Sequence, residues 1–325
     1  MRGFTTKTDL AEALELLRSS VVPLEEESAS LLGSLGRTLA RDVISAVAVP
    51  SFDKSAMDGY ALRAAETFGA SPTDPVSFRV IGEVLPGEVP NLEVGEGDAV
   101  RIMTGGVFPR GADAVLMAEY ATDHGDVMLA QGSVVPGRNV ARAGEDIRKG
   151  DRVLKRGRVL RPQDLGVLAS IGAVEVPVVR RPVVGILSTG NELVEPGSAD
   201  AGQPGRVVNS CRYMLGGLVS QIGGEARWRG VVRDDPEALR GALEAFDGDI
   251  LLTTGATSAG KEDYLPGLLS EVGELLFHGV NIRPGSPLAF GRLGKAMVVL
   301  LPGNPVAALV GFDVFVRPAL QHQLG

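Results

Sequence analysis

Cysteine is almost absent from this chain: Cys211 is the single one in 325 residues. That excludes an intramolecular disulfide and a thiolate zinc cluster, and it fits a reducing compartment. Histidine is nearly as scarce, with His124, His278 and His322 far apart in sequence, which argues against imidazole-rich metal chemistry and a Ser–His–acid triad. Positive charge is in the minority, 32 Lys and Arg against 40 Asp and Glu for a net −8. A general nucleic-acid surface needs a positive footprint, so no nucleic-acid partner is expected, although a local basic pocket is still allowed. Long apolar runs are missing as well, and none spans a bilayer. The N-terminus, MRGFTTKTDLAEALELL, is an acidic amphipathic helix and not the basic-then-apolar pattern of a signal peptide. The expectation is a cytoplasmic protein with no membrane partner.

What is present is an ordinary globular composition, 44% hydrophobic and 22% charged, in a chain long enough for two or three domains. Leu10, Ala13, Leu14 and Leu17 recur at helical spacing, predicting a helix over 8–21 capped by Thr8. A second helix is predicted over 28–32. The polar, glycine-bearing stretch SFDKSAMDGYA at 51–61 reads as a loop entering a strand, with Phe52 and Tyr60 as packing residues. Between 76 and 136, short runs of Val and Ile punctuated by Gly and Pro predict a separate all-β module. A helix over 162–171 closed by Gly172 follows. Similar helices flank the β module, so it is expected as an insertion.

From 183 onward strands and helices alternate, the pattern of parallel βαβ units. The organising stretch is ILLTTGATSAGKEDY at 250–264, a buried strand that opens into a loop rich in hydroxyls and small residues and followed by Glu262 and Asp263. Open α/β sheets bind ligands at the carboxyl ends of their strands, where loop amides can face phosphate. Strand ends at Ser188, Thr254 and Pro302 are therefore expected to converge on one edge. The fold class read here is α/β multidomain: an elongated helical/β domain with an inserted all-β module, plus a three-layer α/β/α domain with a mostly parallel sheet. The expected boundaries are 1–50 with 140–178, 51–139, and 179–325.

SAMDGYA at 55–61, RIMTGG at 101–106, GEDI at 144–147, STGNEL at 188–193, RDDP at 233–236, the 253–264 loop, RPGSPLAFG at 283–291 and LPGNPVAALVGF at 301–312 resemble, in order and spacing, the molybdopterin molybdenumtransferase family, MoeA and the E domain of gephyrin. The resemblance covers nearly the whole chain. It implies an enzyme that takes adenylylated molybdopterin, inserts molybdate into its dithiolene and releases AMP with a divalent cation, Mg2+, assisting. It also implies a molybdopterin adenylyltransferase as upstream donor. Substrate contacts are then expected from Ser188, Thr189, Gly190, Asn191, Thr254, Gly255, Ser258 and Gly260. Arg283, Ser286 and the Pro302-Gly303-Asn304-Pro305 turn would supply donors and positive charge for molybdate, a tetrahedral dianion. Breaking a phosphoanhydride calls for a metal and a carboxylate; Glu192 and Asp263 are the candidates, with Asp234 in reserve. By the same resemblance Asp58, Thr104 and Asp146 reach the sheet domain of a partner subunit, implying an antiparallel, elongated homodimer.

The sequence also departs from the family pattern. Ala256 and Thr257 stand where Gly and Val are usual, and Ser286 and Gly279 where basic residues are usual. Family members usually continue past the position of Gly325 into a small C-terminal β domain. A catalytically weakened molybdopterin-nucleotide binding or scaffold protein of the same family is the alternative.

Overall fold

A computed structural model describes residues 7–255 and 264–325. The chain folds as two compact units: Met1–Arg41 with Arg156–Arg161 and Glu175–Gly325, and Asp42–Lys155 with Pro162–Val174. No described helix is long and apolar enough to cross a membrane.

The second unit is built on a six-stranded sheet in the spatial order Ala114–Met117, Gly59–Leu62, Asp98–Ile102, Val76–Val84, Val127–Ala130, Ala121–Asp123. Only the Val76–Val84 and Asp98–Ile102 pair is parallel. Alternate residues fill the two faces. Tyr60, Leu62, Phe78, Leu116 and Met128 form one apolar cluster, and Ala61, Val84, Val100, Ile102 and Val115 the other. The Pro162–Ser170 helix belongs to this unit, and Gly172 follows it at φ 81°.

The first unit carries a mixed sheet in the order Glu225–Val232, Val183–Thr189, Ile250–Thr254, Ala296–Leu301, Ala289–Leu293, Glu274–His278. Its first four strands are parallel and the last two join antiparallel. The Ile250–Thr254 and Ala296–Leu301 strands are buried at every position, as befits central strands covered on both faces. One face packs Ile186, Ile250, Leu252 and Val299 against Leu215, Val219, Phe312 and Phe315. The other packs Leu187, Leu251, Val298 and Leu300 against Leu239, Leu243, Leu265 and Leu269. Each such leucine contributes about 1.5–3 kcal/mol by leaving water.

Two local expectations are corrected. The helix predicted over 28–32 is the strand Glu26–Ser30, paired antiparallel with Glu175–Val179, followed by a 3-10 turn Leu32–Ser34. The sequence EESAS has no apolar stripe to hold a short helix, and a distant strand satisfies its backbone instead. Thr8 does not cap the first helix. Asp9 does, its Oδ1 accepting from Ala11 N at 2.9 Å, so the helix is Leu10–Ser20. Thr8 is committed to a bridge with the 279–281 segment, donating to Gly279 O and accepting from Asn281 N, each at 3.0 Å.

At the amino edge of the mixed sheet, Arg180 forks onto Asp249 with two bonds of 2.7 Å and donates to Glu25 at 2.6 Å, while Val183 N donates to Asp249 at 2.7 Å. Burial raises the Asp249 pKa, but the Arg180 and Val183 donors outweigh it and hold the carboxyl below the usual range. A depressed carboxylate contributes stability that is present above its unfolded pKa near 3.8 and disappears as pH falls through the folded value. Asp249→Asn should therefore cost about 1–3 kcal/mol at pH 7. The melting-temperature gap to wild type should narrow as pH is lowered toward about 3; a gap independent of pH would count against this ion pair.

Candidate functional site

Parallel register brings three strand ends level: Ser188 lies beside Thr254, and Thr254 beside Leu301. Residues at and just beyond these strand ends, Thr189, Glu192, Gly255 and Gly303, together with Asn209 and Cys211, line a cavity of about 120 Å³. Close backbone approach makes this possible. Gly255 has φ 96°, and a Cβ there would lie 2.5 Å from Thr189 O. A Cβ on Gly303 would lie 3.5 Å from Gly255 Cα.

Beneath the cavity runs a buried, uncharged network. Thr254 Oγ1 meets Ser188 Oγ at 3.0 Å, and Asn209 Nδ2 donates to Ser188 Oγ at 3.1 Å. These three side chains tie the two strands to the start of the Cys211–Ile222 helix. Thr189 Oγ1 lies 3.4 Å from Thr254 O. Burial pushes the Cys211 thiol pKa up, so it is a neutral wall and not a nucleophile. Glu192 is the one carboxylate among the described cavity residues, and none of them is basic. Its side chain is exposed and lies over Gly190, where a Cβ would stand 2.6 Å from Glu192 Oε2. Asn191 is also exposed, and its carbonyl accepts from Arg206 Nη1 at 2.9 Å.

Other predicted residues stand apart from this cavity. Asn304 Oδ1 accepts from Val306 N at 3.0 Å and Ala307 N at 3.2 Å, so its side chain caps the helix that starts at Pro305. Those two amides are thus already occupied. Arg283 and Ser286 lie on the 279–288 connection, which leaves the sheet at the same carboxyl edge but does not line the cavity. Arg283 is exposed, and Ser286 Oγ is buried with no hydrogen-bond partner among the described residues. Asp234 follows the Glu225–Val232 strand, whose last residue accepts from Gly190 N. Ser258, Gly260 and Asp263 lie outside the described residues.

Asp58, Thr104 and Asp146 belong to the second unit. Asp58 Oδ1 accepts from Thr104 N at 2.7 Å and from Thr104 Oγ1 at 2.8 Å. These bonds, the amide first, hold the exposed Asp58 carboxyl below its ordinary pKa. Asp146 is exposed on a separate turn, its N–H donating to Val49 O at 3.0 Å. A larger cavity of about 510 Å³ in this unit, between Val89–Glu93 and Val107–Arg110, holds none of the predicted site residues. Strand-end chemistry, not size, identifies the smaller one as the candidate.

The contribution of Asn209 was not anticipated from sequence. Its signal was a lone amide between Val207-Val208 and a helix, which reads equally as a helix start. Among the described residues no group of three or more His, Cys, Asp or Glu could hold a metal ion.

Comparisons with known proteins bear on the family of the chain. The family model described as "MoeA N-terminal region (domain I and II)" matches residues 8–172, and that described as "Probable molybdopterin binding domain" matches residues 185–322. A molybdopterin molybdenumtransferase of Staphylococcus aureus is 35% identical over 319 residues, covering 97% of this chain and 75% of that protein. Molybdopterin molybdenumtransferase 2 of Mycobacterium tuberculosis is 36% identical over 328 residues, covering 97% and 78%. The crystal structure of the molybdopterin biosynthesis MoeA protein from Pyrococcus horikoshii OT3 superposes with a TM-score of 0.86 at 37% identity, covering 98% of this chain and 80% of that one.

Proposed function

Since the chain belongs to the molybdopterin molybdenumtransferase family, transferases of molybdenum cofactor biosynthesis, we propose that it accepts adenylylated molybdopterin and molybdate at the carboxyl edge of its mixed sheet and releases AMP. The observation that carries this reading is the meeting of three parallel strand ends around one hydroxyl-floored cavity with Glu192 at its wall. We read residues 179–325 as the three-layer α/β/α molybdopterin-binding domain, 51–139 as the inserted β module, and 1–50 with 140–178 as the elongated domain.

Each group has a task set by its surroundings. The Ser188–Asn209–Thr254 network presents neutral dipoles, so the floor can face an anion without a competing charge. Gly255 and Gly303 let the phosphates approach backbone amides closely. Magnesium takes one or two carboxylates and completes its shell with substrate phosphates and water; Glu192, the one carboxylate on the described cavity walls, would take that place, with Asp263 and Asp234 as the further candidates. When bound, such a cation would neutralise the phosphoanhydride oxygens. Arg283, exposed, and Ser286, whose buried Oγ has no hydrogen bond among the described residues, are the groups for the molybdate oxygens. The assembly is a homodimer in which Asp58, Thr104 and Asp146 serve the partner's cavity. The protein acts in the cytoplasm, supplied by a molybdopterin adenylyltransferase.

Chromatographic assay of AMP from the purified chain with adenylylated molybdopterin, molybdate and Mg2+ tests this. AMP should appear only with all three present and should stop when the cation is chelated. The absence of any basic side chain from the described cavity walls favours a second reading, in which the pterin nucleotide is held without turnover. Calorimetric binding of the nucleotide with no AMP released would establish that reading in place of the first.

A further inference from the structure

The loop-bearing end of the second unit contains an ion cluster that the proposed reaction does not yet use. Tyr60, Arg101 and Glu83 form one row across three neighbouring strands, Tyr60 opposite Arg101 and Arg101 opposite Glu83. Side chains of directly opposed residues share a face, and so do residues two apart along a strand. Asp58 and Met103 accordingly join them around a depression of about 150 Å³. This depression therefore gathers one cation, Arg101, and two carboxylates, Asp58 and Glu83. Unconstrained, a guanidinium beside two carboxylates pairs with one of them.

It does not do so here, because a third carboxylate holds it from the side. Asp123 accepts from Arg101 Nε at 2.7 Å and from Nη2 at 2.6 Å. Arg101 Nη2 also donates to Gly125 O. Asp123 is fixed in turn by the Tyr60 hydroxyl at 2.6 Å and by Gly125 N at 2.7 Å. Tyr60 is only 6% exposed, so its ring cannot swing away. Each Asp123 oxygen thus accepts two hydrogen bonds, one from the planar guanidinium fork and one from Tyr60 or Gly125. Asp58 spends Oδ1 on Thr104, and its Oδ2 accepts nothing from the described residues.

We propose that Asp123 is a positioning residue: by clamping Arg101 it withholds the guanidinium from Asp58 and Glu83, leaving Asp58 Oδ2 open for the reaction. The proposal rests on the reading of Asp58 as a site residue. It predicts that the harm done by losing Asp123 is the freed Arg101, not the lost fold.

The test is a double-mutant cycle on AMP release, read as kcat and KM separately, with Asp123→Ala, Arg101→Met, the double variant and Asp58→Asn. Asp123→Ala should lower kcat/KM about tenfold, mainly in kcat. In the Arg101→Met background the same change should cost less than about twofold. A crystal structure of Asp123→Ala should show the guanidinium within about 4 Å of the Asp58 or Glu83 carboxylate, a readout independent of turnover. If Arg101 stays in place, or if Asp123→Ala costs as much with Arg101 absent as present, the clamp is overturned. If Asp58→Asn releases AMP at the wild-type rate, it is the reading of Asp58 that fails, while the crystallographic arm still decides the clamp.

Discussion

Chains carrying Asp58→Asn mixed with chains carrying Glu192→Gln should regain AMP release that neither possesses alone. Each single variant is expected to lose at least about 100-fold in kcat, since each removes a charge that acts only when the phosphoanhydride breaks. If Asp58 serves the partner's cavity, a mixed dimer holds one intact site, in which Glu192 of one chain faces Asp58 of the other, and one doubly damaged site. Random reassortment makes half the dimers mixed, with one of two sites live, so recovery should approach about a quarter of wild type. Failure to complement, with reassortment verified by mass spectrometry, would mean that both residues act within one chain.

Gly255→Ala should be strongly damaging at the candidate site. The added Cβ meets Thr189 O at 2.5 Å and Thr189 Oγ1 at 2.8 Å, at a φ of 96° that side chains rarely adopt. Left-handed strain costs about 1–3 kcal/mol, and a backbone oxygen cannot move without shifting the Val183–Thr189 strand. A loss of about 2–4 kcal/mol is expected, lowering the melting temperature by about 5–12 °C and weakening nucleotide binding. Gly217→Ala is the control. It lies in the Cys211–Ile222 helix with nothing within 4 Å of the added carbon, so it should be neutral or slightly stabilising. Equal melting shifts for the two would show that crowding at Gly255 is not what sets the backbone there.

How far the fold can be read from the chain depends on where each residue finds its partners. The strands at 183–189 and 250–254 open as apolar runs and close in hydroxyl residues followed by glycine, and such runs betray buried parallel strands because burial on both faces favours apolar residues throughout. The Pro-Gly-Asn-Pro turn is equally plain, since Pro at the first helical turn and Asn before it are local requirements. Glu26–Ser30 is not legible, because its partner Glu175–Val179 lies far along the chain and its own residues carry no period. The same holds at the site. Glu192, Gly255 and Gly303 sit in loops whose small and acidic residues advertise close approach. Asn209 and Asp123 matter only through Ser188, Thr254, Tyr60 and Arg101, which come from other strands. Residues defined by tertiary partners leave no mark in their own neighbourhood.

The way the chain is divided between the two units bears on how the protein is made. The sheet of the second unit lies wholly within a single uninterrupted piece, Asp42–Lys155, so a ribosome can deliver that sheet whole. The piece that precedes it must wait: Thr8 is bridged to Val280, Leu24 N donates to Gln323 O, and Gly36 N to Leu160 O. A segment synthesised before that sheet is thus seated well after it. During that interval Ala13 and Leu17, fully covered in the finished protein, have only water or a chaperone to face.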